Sequence, residues 1–195
     1  MGRINLITDA KNTFIVLLRK AFGHGYLQEY EYSKDPKESK IDIRKEFPKR
    51  LRKIPTIIVS MTSGDYSIDQ LGPQTLIHEA KNENGVIDEI VYGGKTKITI
   101  VFTILAGSRL DRDKIIDFAA ICTRFLFKEK AAEQGFEYTN IKIGSDGTAT
   151  LDDTVYYTNT ITITSQSEFE HNIPVELVDI IEKINIKQEV KYIDE

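Results

Sequence analysis

Residues 96–127 read TKITIVFTILAGSRLDRDKIIDFAAICTRFLF and combine two sequence patterns that meet at Gly107. Before Gly107, apolar and polar residues alternate, which predicts a strand with one apolar face. That face would consist of Ile98, Ile100, Phe102 and Ile104. After Gly107, Ser108 suits the N-cap of a helix, and Asp111 three residues later can complete a capping box. The stretch therefore predicts a strand that leads directly into a helix.

The residues after Ser108 predict one long helix, from about residue 109 to residue 131. We expect its recurring apolar residues to form a buried face: Ile115, Ile116, Phe118, Ala119, Cys122, Phe125 and Leu126. A second amphipathic helix is predicted over residues 8–22, where the following Gly23 is typical of a helix end. Each helix has one apolar face, so each needs a sheet or another helix to cover it.

Further runs rich in alternating or β-branched residues predict strands at residues 54–60, 86–92, 138–143 and 154–165. Gly93-Gly94 is typical of a hairpin turn, which would connect the strand at 86–92 to the strand at 96–105. Residues 61–85 contain glycines, asparagines and a proline without a sustained period. They predict a long loop, longer than compact domains usually carry without a role.

The two C-terminal strands carry apolar residues on one face and threonines on the other. This pattern is typical of an antiparallel sheet that is covered by helices on one side. We therefore predict an α+β fold with a mostly antiparallel sheet and helices packed on one face. A single domain is predicted over residues 1–195, with the long loop at about 61–85 and an acidic C-terminal extension from about 174. The threonine-rich face is either a solvated surface or a face that packs against another subunit.

Composition excludes several classes of protein. The net charge of −4 argues against a general nucleic-acid binder, which is usually basic. A single cysteine, Cys122, excludes an internal disulfide and fits a reducing compartment. Charged residues interrupt every apolar run near the N-terminus, and no stretch has the length of a membrane span. We expect a soluble protein that is made in the cytoplasm and has no membrane partner.

The sequence contains no strong catalytic or metal-binding motif. His24, His78 and His171 stand alone, without a second ligand at the spacing that a metal site requires. Cys122 lies on the apolar face of the predicted long helix, where a thiol usually behaves as a small buried hydrophobe. No phosphate-binding glycine loop and no nucleophile elbow occur. We therefore predict no cofactor, no metal and no enzymatic activity.

One enzymatic alternative rests on acidic residues. Asp111 and Asp113 are close in sequence, and Glu189 and Lys191 have a spacing that some metal-dependent nucleases use. A two-metal nuclease needs converging carboxylates with a lysine nearby. The aspartates, however, are already explained as residues that favour a helix start.

Charge is distributed unevenly along the chain. Residues 34–53 hold nine basic and four acidic residues, a net charge of +5, whereas residues 166–195 hold three basic and eight acidic residues, a net charge of −5. Three interpretations fit this distribution. Both segments are solvated, or the basic segment contacts DNA phosphates. In the third, one copy's basic segment contacts the acidic end of the next copy. For the last interpretation the candidate subunit-interface residues are Lys49, Arg50, Arg52, Lys53, Glu176, Asp179 and Glu182.

The order of these elements resembles that of a known protein family. The basic lead-in Phe47-Pro48 continues to residues 54–60, IPTIIVS, and precedes a long loop and a predicted hairpin. The strand and helix start of residues 98–118, ITIVFTILAGSRLDRDKIIDF, follow, and the alternating segment ITITS comes at residues 161–165. The chain resembles the tail-terminator and tail-completion (neck) proteins of tailed bacteriophages over most of residues 1–165.

This resemblance implies a structural virion protein that forms a ring, usually a hexamer, at the phage neck. The ring would terminate the tail tube and join it to the head connector. Its partners would be further copies of itself, tail tube and/or sheath proteins and head connector proteins, with transient contact to DNA in the lumen. The protein would be located in the virion tail or neck, would be made in the host cytoplasm and would need no cofactor. The alternatives are another head–tail joining protein and the metal-dependent DNA-acting enzyme considered above.

Overall fold

The computed structural model describes residues 6–45, 55–65, 75–81, 87–151 and 153–174. The chain divides into two compact units. The larger unit comprises residues 5–65 and 97–167, and the smaller unit takes its described residues from 75–81, 87–96 and 168–174. That the chain forms one domain over residues 1–195 stays a prediction.

The helices of the larger unit form where the sequence predicts them. Helix α1 spans Leu6–Phe22, and a 3₁₀ turn follows at Gln28–Tyr30. The predicted long helix consists of three consecutive segments: α2 (Arg109–Ile121), a π-helical turn (Cys122–Leu126) and α3 (Phe127–Glu133). Ser108 is its N-cap, and the Asp111 backbone N–H donates to the Ser108 Oγ at 3.1 Å.

The strands are β1 (Asp42–Arg44), β2 (Thr56–Asp65), β3 (Thr75–Lys81), β4 (Ile87–Ala106), β5 (Glu137–Ile143), β6 (Gly147–Leu151) and β7 (Thr154–Pro174). In the larger unit the order is β1-β2-β4-β7-β5, and β6 pairs with the start of β7. The pairs β2–β4, β5–β7 and β6–β7 are antiparallel, and the short β1 runs parallel to β2. In the smaller unit β3 pairs antiparallel with residues 87–93. The predicted α+β class with a mostly antiparallel sheet is confirmed.

One face of the sheet carries the main core of the larger unit. Phe102 is fully buried, and its ring meets the α1 ring of Phe14 edge-on, with centroids 5.8 Å apart. The predicted apolar face of β4 is buried in this core: Ile98, Ile100, Phe102 and Ile104. On the opposite face a small cluster of Ile58, Leu105 and Tyr156 is also buried. The prediction that the helices pack on one face is confirmed.

The predicted loop and hairpin are wrong where the structure describes them. Residues 61–65 continue β2 and residues 75–81 form β3, while 66–74 and 82–86 lie outside the described residues. Gly93 is not in a turn but in β4, opposite Thr75. Register shifts interrupt the pairing of β2 after Met61 and of β3 after Leu76, and an extra residue at such a shift breaks a strict sequence period of two. The period-2 signal was therefore lost although the strands are present.

The predicted apolar face of the long helix is wrong at its end. Phe125 and Leu126 are 68% and 62% exposed, whereas Thr123 and Phe127 are buried. The Phe127 N–H bonds the Cys122 carbonyl, five residues back, which inserts one extra residue into the turn. The insertion rotates the following residues by about one residue's angle. Phe127 therefore takes the inward position at which a regular helix would have placed Leu126.

Stability measurements can distinguish the buried Phe102 from the exposed Phe125. Phe102→Ala is expected to lower the free energy of unfolding by about 3–5 kcal/mol, because it opens a cavity under α1. The matched change Phe125→Ala removes the same atoms from an exposed ring and is expected to cost well under about 1 kcal/mol. Urea unfolding of both variants measures the difference. Equal losses would place Phe125 in the core after all.

Candidate assembly surface

A groove runs between the long helix and strand β5 in the larger unit. It has a volume of about 810 Å³ and is partly open to solvent. The helix contributes one wall and β5 the other. The lining residues are Asp117, Ala120, Ile121, Arg124, Phe125, Lys128, Tyr138, Thr139, Asn140, Ile141 and Ile143.

The groove exposes large apolar side chains. Ile121 and Ile143 are 56% and 50% exposed. Phe125 is 68% exposed and lines the groove from the helix side. Single exposed apolar residues are common, but a contiguous group that lines a concave surface marks a site of interaction. The π-helical turn creates this group, because it directs Phe125 outward. We refer to this surface, defined by Ile121, Phe125, Ile141 and Ile143, as the β5 groove.

The open edge of β5 forms one side of this groove. On its other side β5 pairs with β7, from Glu137 opposite Gln166 to Ile143 opposite Ile161. Within the described residues, β5 is the last strand of the sheet, and none pairs with its outer edge. An unpaired edge presents backbone N–H and carbonyl groups that another strand can bind. The β5 groove thus offers apolar contacts and hydrogen-bonding groups side by side.

Charged residues at the rim give this surface a basic side. Arg124 and Lys128 line the groove on successive helical turns, together with the single acidic residue Asp117. The Arg124 guanidinium lies over the Phe125 ring, 5.5 Å from its centroid. An arginine in this position stacks on the aromatic face and keeps its hydrogen-bonding groups directed to solvent. A partner with carboxylates beside its apolar residues would fit this rim.

Tyr138 fixes the β5 wall to the core. Its ring stacks on that of Phe14, with centroids 5.8 Å apart and an interplanar angle of 25°. Burial raises the pKa of the Tyr138 hydroxyl well above its usual value, so the side chain stays neutral. The hydroxyl is buried and makes no hydrogen bond in the described part of the chain. Tyr138 therefore packs the β5 wall against the core through Phe14.

Asp111 has a structural role at the start of α2. The Tyr30 hydroxyl donates to the Asp111 Oδ1 at 2.6 Å, and the Ser108 hydroxyl donates to the Oδ2 at 2.7 Å. The Tyr30 hydrogen bond, followed by that from Ser108, holds the pKa of Asp111 below its usual value. Both carboxylate oxygens are thus used to join the helix start to the 3₁₀ turn.

Asp113 is held by a different group. The nearly fully buried Arg112 bonds Asp113 at 2.6 Å and Asp146 at 2.8 Å. The Asn159 amide also donates to Asp146, which ties β7 into the same network. The hydrogen bond from Arg112 to Asp113 is the largest reason why the pKa of Arg112 is raised. Asp111 and Asp113 therefore serve two separate structural contacts and do not converge on a common point.

The other predicted chemical residues are as follows. Cys122 is buried, and burial raises the pKa of its thiol to about 11, as expected for a packing residue. Among the residues that the structure describes, no three His, Cys, Asp or Glu side chains are grouped closely enough to hold a metal. No helix in the same part of the chain is long and apolar enough to cross a membrane.

The subunit-interface residues named from the sequence lie outside the described residues, as does Glu189 of the enzymatic alternative. These are Lys49, Arg50, Arg52, Lys53, Glu176, Asp179 and Glu182. The acidic extension beyond Pro174 lies outside them too. Their role at an interface stays a prediction. The β5 groove was not predicted, because sequence periodicity assigned Phe125 to the core.

Tyr30→Phe tests the role of Asp111 through pH. The pKa of Asp111 is lowered by folding, so its contribution to stability is present above the unfolded pKa near 4 and is lost as pH falls through the folded pKa. Removing the Tyr30 hydroxyl is expected to lower the free energy of unfolding by about 1.5 kcal/mol at neutral pH, and by progressively less towards about pH 2. Urea unfolding across this range measures the difference. Tyr26→Phe, at an 86% exposed position, is the control, and a pH-independent loss would contradict the assignment.

Comparison with known proteins gives a weak likeness to solved structures. No protein-family profile matches the chain, and no curated protein sequence matches it. The chain is similar to the sheath/tube terminator of an extracellular contractile injection system, PVC, in its extended state, with 10% identity and a TM-score of 0.41. The match covers 81% of this chain and 57% of the terminator, so this chain spans a little over half of that protein's length. A likeness of this strength assigns no function to the chain.

Proposed function

We propose that the protein is a structural subunit that forms a ring at the neck of a phage-type tail, terminates the tail tube and joins it to the head connector. The observation that supports this proposal is the β5 groove, in which exposed apolar side chains line a concave surface beside a sheet edge with which no described strand pairs. A surface of this kind suits binding to another protein chain. The sequence resemblance to tail-terminator and neck proteins supplies the biological setting.

The groove also favours a particular kind of assembly. It occupies one side of the larger unit and is concave, so it cannot pack against an identical groove without leaving its floor uncovered. We therefore propose that a different surface of the next copy fills it. Such head-to-tail contacts close into rings when the rotation between neighbours allows it. We propose a ring of six copies, the number that the resemblance implies.

Two charged segments would add to this contact. We propose that Lys49, Arg50, Arg52 and Lys53 of one copy attract Glu176, Asp179 and Glu182 of the next. Complementary charges of this kind direct association and select the correct partner more than they add affinity. The ring would bind tail tube and/or sheath proteins on one side and head connector proteins on the other, with DNA passing transiently through its lumen in the virion.

Tube growth distinguishes a terminator from another head–tail joining protein. Purified protein is added to tail tube subunits of the same phage during polymerisation, and tube lengths are measured by electron microscopy. A terminator is expected to cap one end of each tube and to shorten the tubes as its concentration rises. If the tube lengths do not change and the protein binds only the connector, the joining function is the correct one.

A further inference from the structure

The β5 groove requires an occupant of a specific chemistry. Its outer β5 edge can pair with an extended strand, and its apolar wall would receive the side chains of one face of that strand. Its basic rim, with Arg124 and Lys128, would favour carboxylates beside the apolar residues. The occupant is therefore an extended segment with alternating apolar residues and acidic flanks.

The chain itself contains a segment of this description. Residues 184–192 read INIKQEVKY, in which every second position is apolar except one: Ile184, Ile186, Val190 and Tyr192. A period of two predicts a strand with these side chains on one face. Acidic residues flank the run, with Glu182 on one side and Asp194 and Glu195 on the other.

The lengths of the two strands agree. A strand of nine residues spans about 30 Å, and the seven residues of β5 span about 23 Å, so the segment can pair along the whole of β5. Asp194 and Glu195 follow the run after Ile193, whereas Lys183 precedes it and Lys187, Glu189 and Lys191 lie within it. The C-terminal carboxylates are therefore the groups that would meet groove-rim cations such as Arg124 and Lys128. The fit therefore rests on the apolar spacing and on the carboxylates that follow the segment.

We propose that residues 184–192 of one copy add a strand to the outer edge of β5 in the neighbouring copy, with Ile184, Ile186 and Val190 facing the β5 groove. The inference rests on the proposed ring, because it supplies the head-to-tail contact that such a ring needs. Residues 176–182 would precede this strand and contact the neighbour's basic segment. The strand exchange would cover Phe125 and Ile143, which are exposed in a single copy.

Cysteine crosslinking in the full-length protein tests this pairing. One protein carries Ile143→Cys, on the groove face of β5, and a second, affinity-tagged protein carries a single cysteine at residue 186, 188 or 190. The native Cys122 is buried, with a pKa raised to about 11, so it should not react in the folded protein. After mixing and mild oxidation, a disulfide between tagged and untagged chains is expected.

The face of the strand provides an internal control. Cysteines at residues 187 and 189 would point away from the groove and are expected to crosslink at least about tenfold less. As the control for random collision, a protein with Lys20→Cys, at an exposed position of α1, is used in place of the Ile143→Cys protein. The inference would be overturned by any of three results. These are no crosslink at residues 186, 188 and 190, equal crosslinking by the Lys20→Cys protein, or disulfides that form only within one chain.

The mass of the wild-type assembly separates this inference from the proposed function. A ring without the crosslink would overturn the strand exchange and leave the ring intact as a proposal. An interchain crosslink in an assembly that is not a ring would support the strand exchange and contradict the neck function. A variant with Ile184→Asp and Ile186→Asp should raise the concentration for half-dissociation at least about tenfold. An unchanged value would overturn the strand exchange.

Discussion

Phe125→Asp is expected to dissociate the assembly and to leave the subunit folded. The ring is 68% exposed in a single copy, so the substitution removes no core contact. In the assembly, the carboxylate would be buried against apolar side chains of the neighbour without a partner. We expect each contact to weaken by at least about 2 kcal/mol, which raises its dissociation constant about thirtyfold. Sedimentation velocity measures the assembly, and circular dichroism with urea unfolding measures the fold.

Val16→Asp is the matched control for this experiment. Val16 is an apolar residue of α1 that is 48% exposed, and it does not line the groove. The Val16→Asp variant is expected to assemble as the wild type does. If Phe125→Asp assembles normally, or if both variants fail equally, the β5 groove is not the assembly surface.

Reversing the charge of Lys49, Arg50, Arg52 and Lys53 to glutamate is expected to prevent assembly without unfolding the subunit. The local charge of these residues changes from +4 to −4. If they face the acidic segment of a neighbour, the attraction becomes a repulsion that costs several kcal/mol. Added salt should also weaken the wild-type assembly, because it screens the attraction between the charged segments. The screening length falls from about 10 Å in about 0.1 M salt to about 3 Å in about 1 M salt. Sedimentation at both salt concentrations measures the effect.

A matched pair of double reversals controls for the change in total charge. Arg52→Glu with Lys53→Glu is expected to weaken assembly, whereas Lys20→Glu with Lys130→Glu, at exposed positions on the helices, is expected to have little effect. If all three charge variants assemble as the wild type does, and salt has no effect, the basic segment is solvated. The threonine-rich sheet face would then be the next surface to test.

Local patterns in the sequence were sufficient to predict the fold class, the helices and the longer strands, but not β1, β3 or β6. The alternation of Ile98, Ile100, Phe102 and Ile104 predicted one face of β4 because nothing interrupts its period there. Ser108 and Asp111 predicted the helix start correctly because capping depends on neighbouring residues only. The fold class followed from these regular elements.

The errors occurred where the backbone departs from a regular period. Register shifts in β2 and β3 break the sequence period of two, and the π-helical turn breaks the helical period of the long helix. A signal for the turn was present, since Ala119, Thr123, Phe127 and Ala131 recur every four residues and all are buried. This spacing fits a helix that is locally wound more loosely than 3.6 residues per turn. This four-residue spacing predicts an exposed Phe125 and thereby one wall of the groove.

The other wall of the groove could not be predicted from local sequence. It depends on β5 being the last described strand and on its distance from the helix, both of which result from the sheet order β1-β2-β4-β7-β5. Ile141 and Ile143 have the same spacing in sequence whether they face a core or a groove. Only the topology decides between these two environments.

The mass of the purified protein in solution tests the central claim most directly. Each subunit weighs 22.2 kDa, so a ring of six copies weighs about 133 kDa. Native mass spectrometry and sedimentation equilibrium of the wild type should give this mass or another single multiple of the subunit mass that closes a ring. Phe125→Asp measured in parallel should give the mass of one subunit. A wild-type protein that stays at 22.2 kDa at every concentration tested, with or without tail tube subunits, would contradict the account.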